Sequence, residues 1–166
     1  MPAIDRADTV MFNARRLLEA AQAFSVPILV SEQYPQGLGP TVAPVAEAIP
    51  EGTPIIAKKS FSVCGSEELR KRIEEQDVPK VILSGVETHI CILQSVFDLL
   101  TLGREVVLAV DAIGSRSRLD DEIALRRMEA HGVTLATTES ILFEWCGSAD
   151  HAQFKTISNL AKRKPC

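Results

Sequence analysis

Five short apolar runs rich in β-branched residues, separated by segments of helical spacing, constrain this chain more than any other feature. They are VPILVS (26–31), PIIAK (54–58), KVILSGV (80–86), REVVLAV (104–110) and GVTLAT (132–137). Each is apolar nearly throughout rather than alternating, which is the pattern of a strand covered on both faces. Between them, SEELRKRIEEQ (66–76) predicts a helix with Ser66 as cap, acidic Glu67 and Glu68 in the first turn, and Glu67–Lys71 and Glu68–Arg72 pairs one turn apart. Residues 120–131 predict a second helix, stopped by Gly132. Residues 88–102 are apolar around most of a helical circumference and predict a buried, central helix. Strands alternating with helices imply parallel βαβ units and an α/β/α sandwich on a doubly wound, Rossmann-like sheet. The chain's 166 residues fit a single domain, 1–166.

Composition narrows the function classes. The formal charge of −4 speaks against a general nucleic-acid binder. No apolar run reaches the roughly 18 residues that span a bilayer, and the first residues lack the layout of a secretory signal, so a cytoplasmic protein without a membrane partner is expected. The four cysteines, Cys64, Cys91, Cys146 and Cys166, form no C-x-x-C pair, and His89, His131 and His151 have no metal-ligand spacing. No metal and no cofactor are expected.

In a parallel sheet, ligands bind beyond the carboxyl ends of the strands. Lys58, Cys91 and Asp111 all fall at or just after such ends, so one crevice can gather them. In GVETHICILQS (85–95) a strand gives way to a helix, and Cys91 lies in the helix's first turn. Free amides there stabilise a thiolate and an oxyanion formed by its attack on a carbonyl. A small buried apolar residue is the competing reading of Cys91. His89, two residues earlier, would point about 200° away on a helix, so it fits packing or a loop hydrogen bond better than a Cys–His dyad. Asp111 suits holding the loop that follows it, and Cys64 suits a loop or core position. Tyr34 and Phe61, near strand ends, are candidates to line the pocket, with core packing an equal alternative. The basic tail, 155–164, suits a solvated helix end.

SEQYPQGLGPTV, KKSFS, GVETHICILQS, VDAIGSRS and TTESILFEW together resemble the isochorismatase-like cysteine hydrolases, a superfamily that also includes nicotinamidases. The first of these motifs resembles a small subgroup, the isochorismatase domain-containing proteins, some of which are labelled ribonucleases. The resemblance implies an Asp–Lys–Cys triad. Its lysine, four residues before the serine of K-x-x-F-S, maps onto Lys58, and its nucleophile, in G-V-x-T-x-x-C, onto Cys91. It also implies a cis peptide between Val86 and Glu87, with the amides of Glu87 and Cys91 as oxyanion hole. The expected chemistry is hydrolysis of a small-molecule substrate, of C–N or amide type, through a thioester by a homo-oligomeric enzyme. A non-catalytic oligomeric scaffold or regulator retaining the fold is the alternative.

Two departures accompany the resemblance. The family's first strand and the D-x-Q aspartate that ends it have no counterpart, because MPAIDRADTV matches the stretch that follows them. Asp5 and Asp8 therefore belong to the start of a helix running to about residue 24, as caps or first-turn charges. Omitting a central strand would leave its neighbours without a hydrogen-bonding partner. The second departure is that SEQYPQGLGP lacks the histidine of zinc-binding nicotinamidases.

Overall fold

The computed structural model describes residues 3–165. Helix α1 (Ala7–Ala23) leads into β1 (Val30–Gln33), two single-turn helices, α2 (Pro35–Leu38) and α3 (Ala43–Ala46), and β2 (Ile55–Lys58). Then come α4 (Glu67–Glu75), β3 (Lys80–Val86), a π-helical turn (Thr88–Ile92) and α5 (Leu93–Thr101). The chain closes with β4 (Glu105–Gly114), α6 (Arg118–Glu129), β5 (Thr134–Ala136), α7 (Thr138–Cys146) and α8 (Phe154–Lys162). All three strand pairings are parallel.

The pleat of β4 explains the layers. Val106 and Leu108 face a core shared with Ile73 of α4, Val96 and Leu99 of α5 and Met128 of α6. Val107 and Ala109, one residue out of step, face Leu17 and Ala20 of α1, Ile141 and Leu142 of α7 and Ile157 of α8. Successive strand side chains point to opposite faces, so a strand that is apolar throughout must be covered twice. The result is the three-layer α/β/α sandwich.

The sheet is nevertheless in two pieces. β1 pairs only with β2, and the larger piece runs β3-β4-β5. The run expected as a strand over 26–31 is hydrogen-bonded in register only from Val30, against Ile55. Residues 26–29 instead form one wall of an apolar slot, with β3 as the other wall.

Local details also differ from expectation. Asp8 lies in the first turn of α1, but Arg6 is the N-cap and no side chain caps it; Asp5 contributes its backbone N–H, bonded to the Ser115 carbonyl at 3.0 Å. Ser66 makes no side-chain cap. Arg72 pairs with Glu68 at 3.1 Å as expected, but Lys71 reaches forward to Glu75 at 3.8 Å rather than back to Glu67. Both orders are one-turn neighbours, so helical spacing alone does not choose between them.

Candidate active site

Three strand ends meet at one place. Lys58, the last residue of β2, is buried with 6% of its surface exposed. Its Nζ donates to Gln33 Oε1 at 2.6 Å, to the Ser60 carbonyl at 3.0 Å and to the Phe61 carbonyl at 2.7 Å. Gln33, the last residue of β1, is fixed at its other end by Nε2 donating to the Lys59 carbonyl at 2.8 Å. Cys91, delivered by the turn after β3, brings its thiol to Gln33 Oε1 at 3.9 Å. The convergence of β1, β2 and β3 on these atoms means that both pieces of the sheet point their carboxyl ends at the same spot.

An ammonium with three oxygen acceptors has its donors satisfied, which makes burial of the charge tolerable. Burial still pushes the Lys58 pKa below its ordinary 10.5, and the neighbouring Cys91 sulfur opposes that through its charge and a hydrogen bond. The two groups are thus electrostatically coupled across the crevice.

The entry to α5 differs from the ordinary helix start read from the sequence. Thr88–Ile92 is a π turn, in which the Glu87 carbonyl accepts from Ile90 N–H and Ile92 N–H, both at 3.2 Å. The wider turn sets Cys91 in a loop of backbone broader than an α-helical one, a device that recurs at functional sites. The Val86–Glu87 peptide is cis. Ser95 Oγ donates to the Cys91 carbonyl at 2.6 Å and accepts Val63 N–H at 3.0 Å, tying the turn to the segment after β2. Cys91 is half-buried rather than sealed in the core.

The remaining candidates separate cleanly. The Glu87 carboxylate turns away to Arg116, accepting from its Nε at 3.1 Å and its backbone N–H at 2.9 Å. His89 Nδ1 lies 3.0 Å from Ser115 Oγ, a loop hydrogen bond. Asp111 accepts from Thr138 N–H at 2.7 Å and Thr138 Oγ1 at 2.8 Å. It therefore holds the start of α7, not the loop after β4 as the sequence suggested. Tyr34 and Phe61 are joined to the site through backbone, Tyr34 N–H to the Lys58 carbonyl at 2.8 Å and the Phe61 carbonyl to Lys58 Nζ. Both residues are exposed, at 47% and 52%, rather than packed in the core. Cys64 packs partly buried against the core, where burial and Asp98 raise its pKa. Cys146 is buried and Cys166 lies outside the described residues.

Gln33 is the residue that sequence reasoning missed. It stands inside SEQYP, a motif already recognised, and the signal was available: it is the last polar residue before the β1 chain turns at Tyr34 (φ 41°).

Residues 2–140 match the isochorismatase domain family. The chain belongs to that family. It is 39% identical over 161 residues to isochorismatase domain-containing protein 1 of Salmo salar, covering 97% of this chain and 56% of that protein. Against isochorismatase domain-containing protein 2 of Bos taurus it is 42% identical over 153 residues, 92% of this chain and 73% of the relative. The chain thus spans little more than half the length of the salmon relative. Among solved structures, the MAR1 ribonuclease of Caenorhabditis elegans superposes with a TM-score of 0.93 at 38% identity, covering 99% of this chain and 84% of that one.

Proposed function

We propose that this isochorismatase-family chain carries the nucleophilic centre of a cysteine hydrolase acting on a small carbonyl substrate of C–N or amide type. The observation that carries the reading is that Lys58 Nζ and Cys91 Sγ share one acceptor, Gln33 Oε1, at 2.6 Å and 3.9 Å. That arrangement supports a cation held beside the sulfur, on a side chain too buried to swing away, where it can balance the charge that develops as the sulfur reacts. The thiolate sulfur attacks the substrate carbonyl carbon, and the carbonyl electron pair moves onto oxygen. The amides of Glu87 and Cys91 are the donors for that oxyanion. Collapse of the adduct breaks the C–N bond, the amine leaves with a proton, and the thioester is hydrolysed by water, which restores the thiol.

The proton acceptor in this scheme is the family aspartate, which no residue of MPAIDRADTV matches. Among the described residues the hydrogen-bonding side chains beside Sγ are Gln33 and Lys58, neither of them a carboxylate. A positioned carboxylate is worth about 10²–10⁴-fold, so turnover by these residues alone is expected to fall short of a complete triad by that factor. The name ribonuclease belongs to the worm relative; here the charge of −4 favours a small substrate over a polyanion. A homo-oligomeric, cytoplasmic enzyme completes the reading.

Hydrolysis of a panel of small amides and esters, followed with the wild-type chain and with Cys91→Ala, tests it. Activity lost with the thiol, together with a substrate-derived mass on Cys91 trapped by acid quench, is the expected result. Full activity in Cys91→Ala defeats the reading. Alkylation that labels Cys64 as fast as Cys91 near neutral pH favours the scaffold alternative.

A further inference from the structure

A buried hydroxyl joins the two halves of the candidate site. Ser95, the third residue of α5, has 1% of its surface exposed. Its Oγ donates to the Cys91 carbonyl at 2.6 Å, one helical turn back, and accepts from Val63 N–H at 3.0 Å, 32 residues away in the chain. The first bond alone is commonplace, since a serine inside a helix often bonds the carbonyl four residues before it. The second is not local. It reaches the segment between β2 and α4 that holds the Lys58 ammonium.

That segment is a tight coil. Ser60 Oγ donates to the Ser62 carbonyl at 2.9 Å, and Ser62 Oγ accepts from Cys64 N–H at 3.1 Å. Gly65 closes against Ser60 so nearly that an added Cβ would meet Ser60 Cβ at 2.7 Å. Two of the acceptors on Lys58 Nζ, the Ser60 and Phe61 carbonyls, belong to this coil. Lysine carries its charge on a flexible stem, so the place of these carbonyls sets the place of the ammonium. Gln33 meets Lys58 and Cys91 at the tips of their side chains. Ser95 meets the backbone on which each is carried.

A hydroxyl donates and accepts at once, which this position requires and an apolar side chain cannot supply. At 1% exposure, water has little access to replace it. We infer that Ser95 is a positioning residue for the reaction at Cys91, its hydroxyl fixing the coil that holds the Lys58 ammonium against the turn that holds the Cys91 sulfur. The inference rests on the reading of Cys91 as nucleophile and Lys58 as its cation. It acts through the backbone of Val63 and Cys91, and displacements of about 1 Å between reacting groups can cost about 10²-fold in rate.

The test is iodoacetamide alkylation of Cys91 at neutral pH in the 166-residue chain, read by peptide mapping, with the unfolding midpoint of each variant recorded so that folded protein is compared. Ser95→Ala should slow the reaction about threefold or more, and should add nothing once Lys58→Met is in place, because both changes act on one contact. Val63→Pro removes the N–H that Ser95 accepts and leaves the bond to Cys91. Proline suits that position, the first of a 3₁₀ turn preceded by extended backbone at Ser62 (ψ 142°). It should slow alkylation as Ser95→Ala does, whereas a serine serving only its own helix would make it silent. A folded Ser95→Thr chain keeps the hydroxyl and should react within about twofold of wild type. Any of four results overturns the inference: an unchanged rate in Ser95→Ala, equal slowing by Ser95→Ala with and without Lys58, a wild-type rate in folded Val63→Pro, or a folded Ser95→Thr chain slowed as much as Ser95→Ala. Failure of the underlying reading looks different, because it shows as full hydrolysis by Cys91→Ala whatever the Ser95 variants do.

Discussion

The two pieces of the sheet are built from similar residues and end up in different physical states. VVLA in β4 and IIAK in β2 are both apolar runs of strand-forming residues. β4 has a partner on each side and a helical layer on each face, and 106–109 are buried throughout. β2 has one partner, β1, and its residues alternate exposed and buried. Burial of a strand is thus a property of its neighbours more than of its sequence. The candidate active site lies across this divide, with Lys58 and Gln33 on the weaker piece and Cys91 on the stronger. Its geometry therefore rests on a few side-chain hydrogen bonds, at Gln33, Ser95 and Lys58, where a continuous sheet would have used a backbone ladder.

The sharpest way to break this comparison is to cut into each piece. Leu108→Ala should cost about 2–5 kcal/mol of global stability, since it empties a site with contacts all round, whereas Ile56→Val in β2 should cost about 0.5–1.5 kcal/mol. Chemical denaturation of both variants checks this, and equal costs would mean that the small piece is as integral as the large one.

Next in size is the coupling across the divide. Lys58→Met removes the buried ammonium beside the thiol and should slow iodoacetamide alkylation of Cys91 at neutral pH by about tenfold or more. Peptide mapping by mass spectrometry reads the rate at Cys91 separately from that at Cys64.

A smaller effect sharpens the same point through pH. Burial lowers the Lys58 pKa in the folded chain below 10.5, so between the folded and unfolded values the unfolded chain holds more protons. Stability contributed by this group therefore rises with pH across that window, and its penalty is fully present below the folded value. The denaturation midpoint of wild type relative to Lys58→Met should climb as pH is raised toward 10.5. A flat or falling difference would mean that the ammonium is solvated.

The smallest change is expected at Arg116, whose side chain is 61% exposed where it pairs with Glu87. Arg116→Ala should lower stability by no more than about 1 kcal/mol in chemical denaturation, and the difference from wild type should shrink as salt is added, because an exposed partner is well screened. A larger loss would show that the Glu87 side chain helps hold the Cys91 turn.

Much of this was legible in advance. Apolar runs placed five strands in the right order because a strand covered on both faces must be apolar throughout, and that requirement is local. Lys58 and Cys91, which the family resemblance pointed to, do come together at strand ends, the place where parallel sheets bind ligands. Gln33 was not legible in this way, although its motif was quoted, since a glutamine becomes a hub only when two distant side chains arrive beside it. Nor was the role of Asp111 at α7, which depends on a contact across 27 residues. Strand lengths were less legible too: pairing requires a neighbour, so 26–29 look like strand in sequence and remain unpaired in space.

The sequence by itself determined the fold class, the order of its elements and the residue types at the carboxyl ends of the strands, because periodicity and β-propensity act within a few residues. The unpaired strand edges were also expected from the sequence, but only the tertiary structure decided that Gln33 joins Lys58 to Cys91 and that a π turn presents the thiol. Those features arise between segments far apart in the chain, where hydrogen-bond partners and burial are set by which surfaces meet.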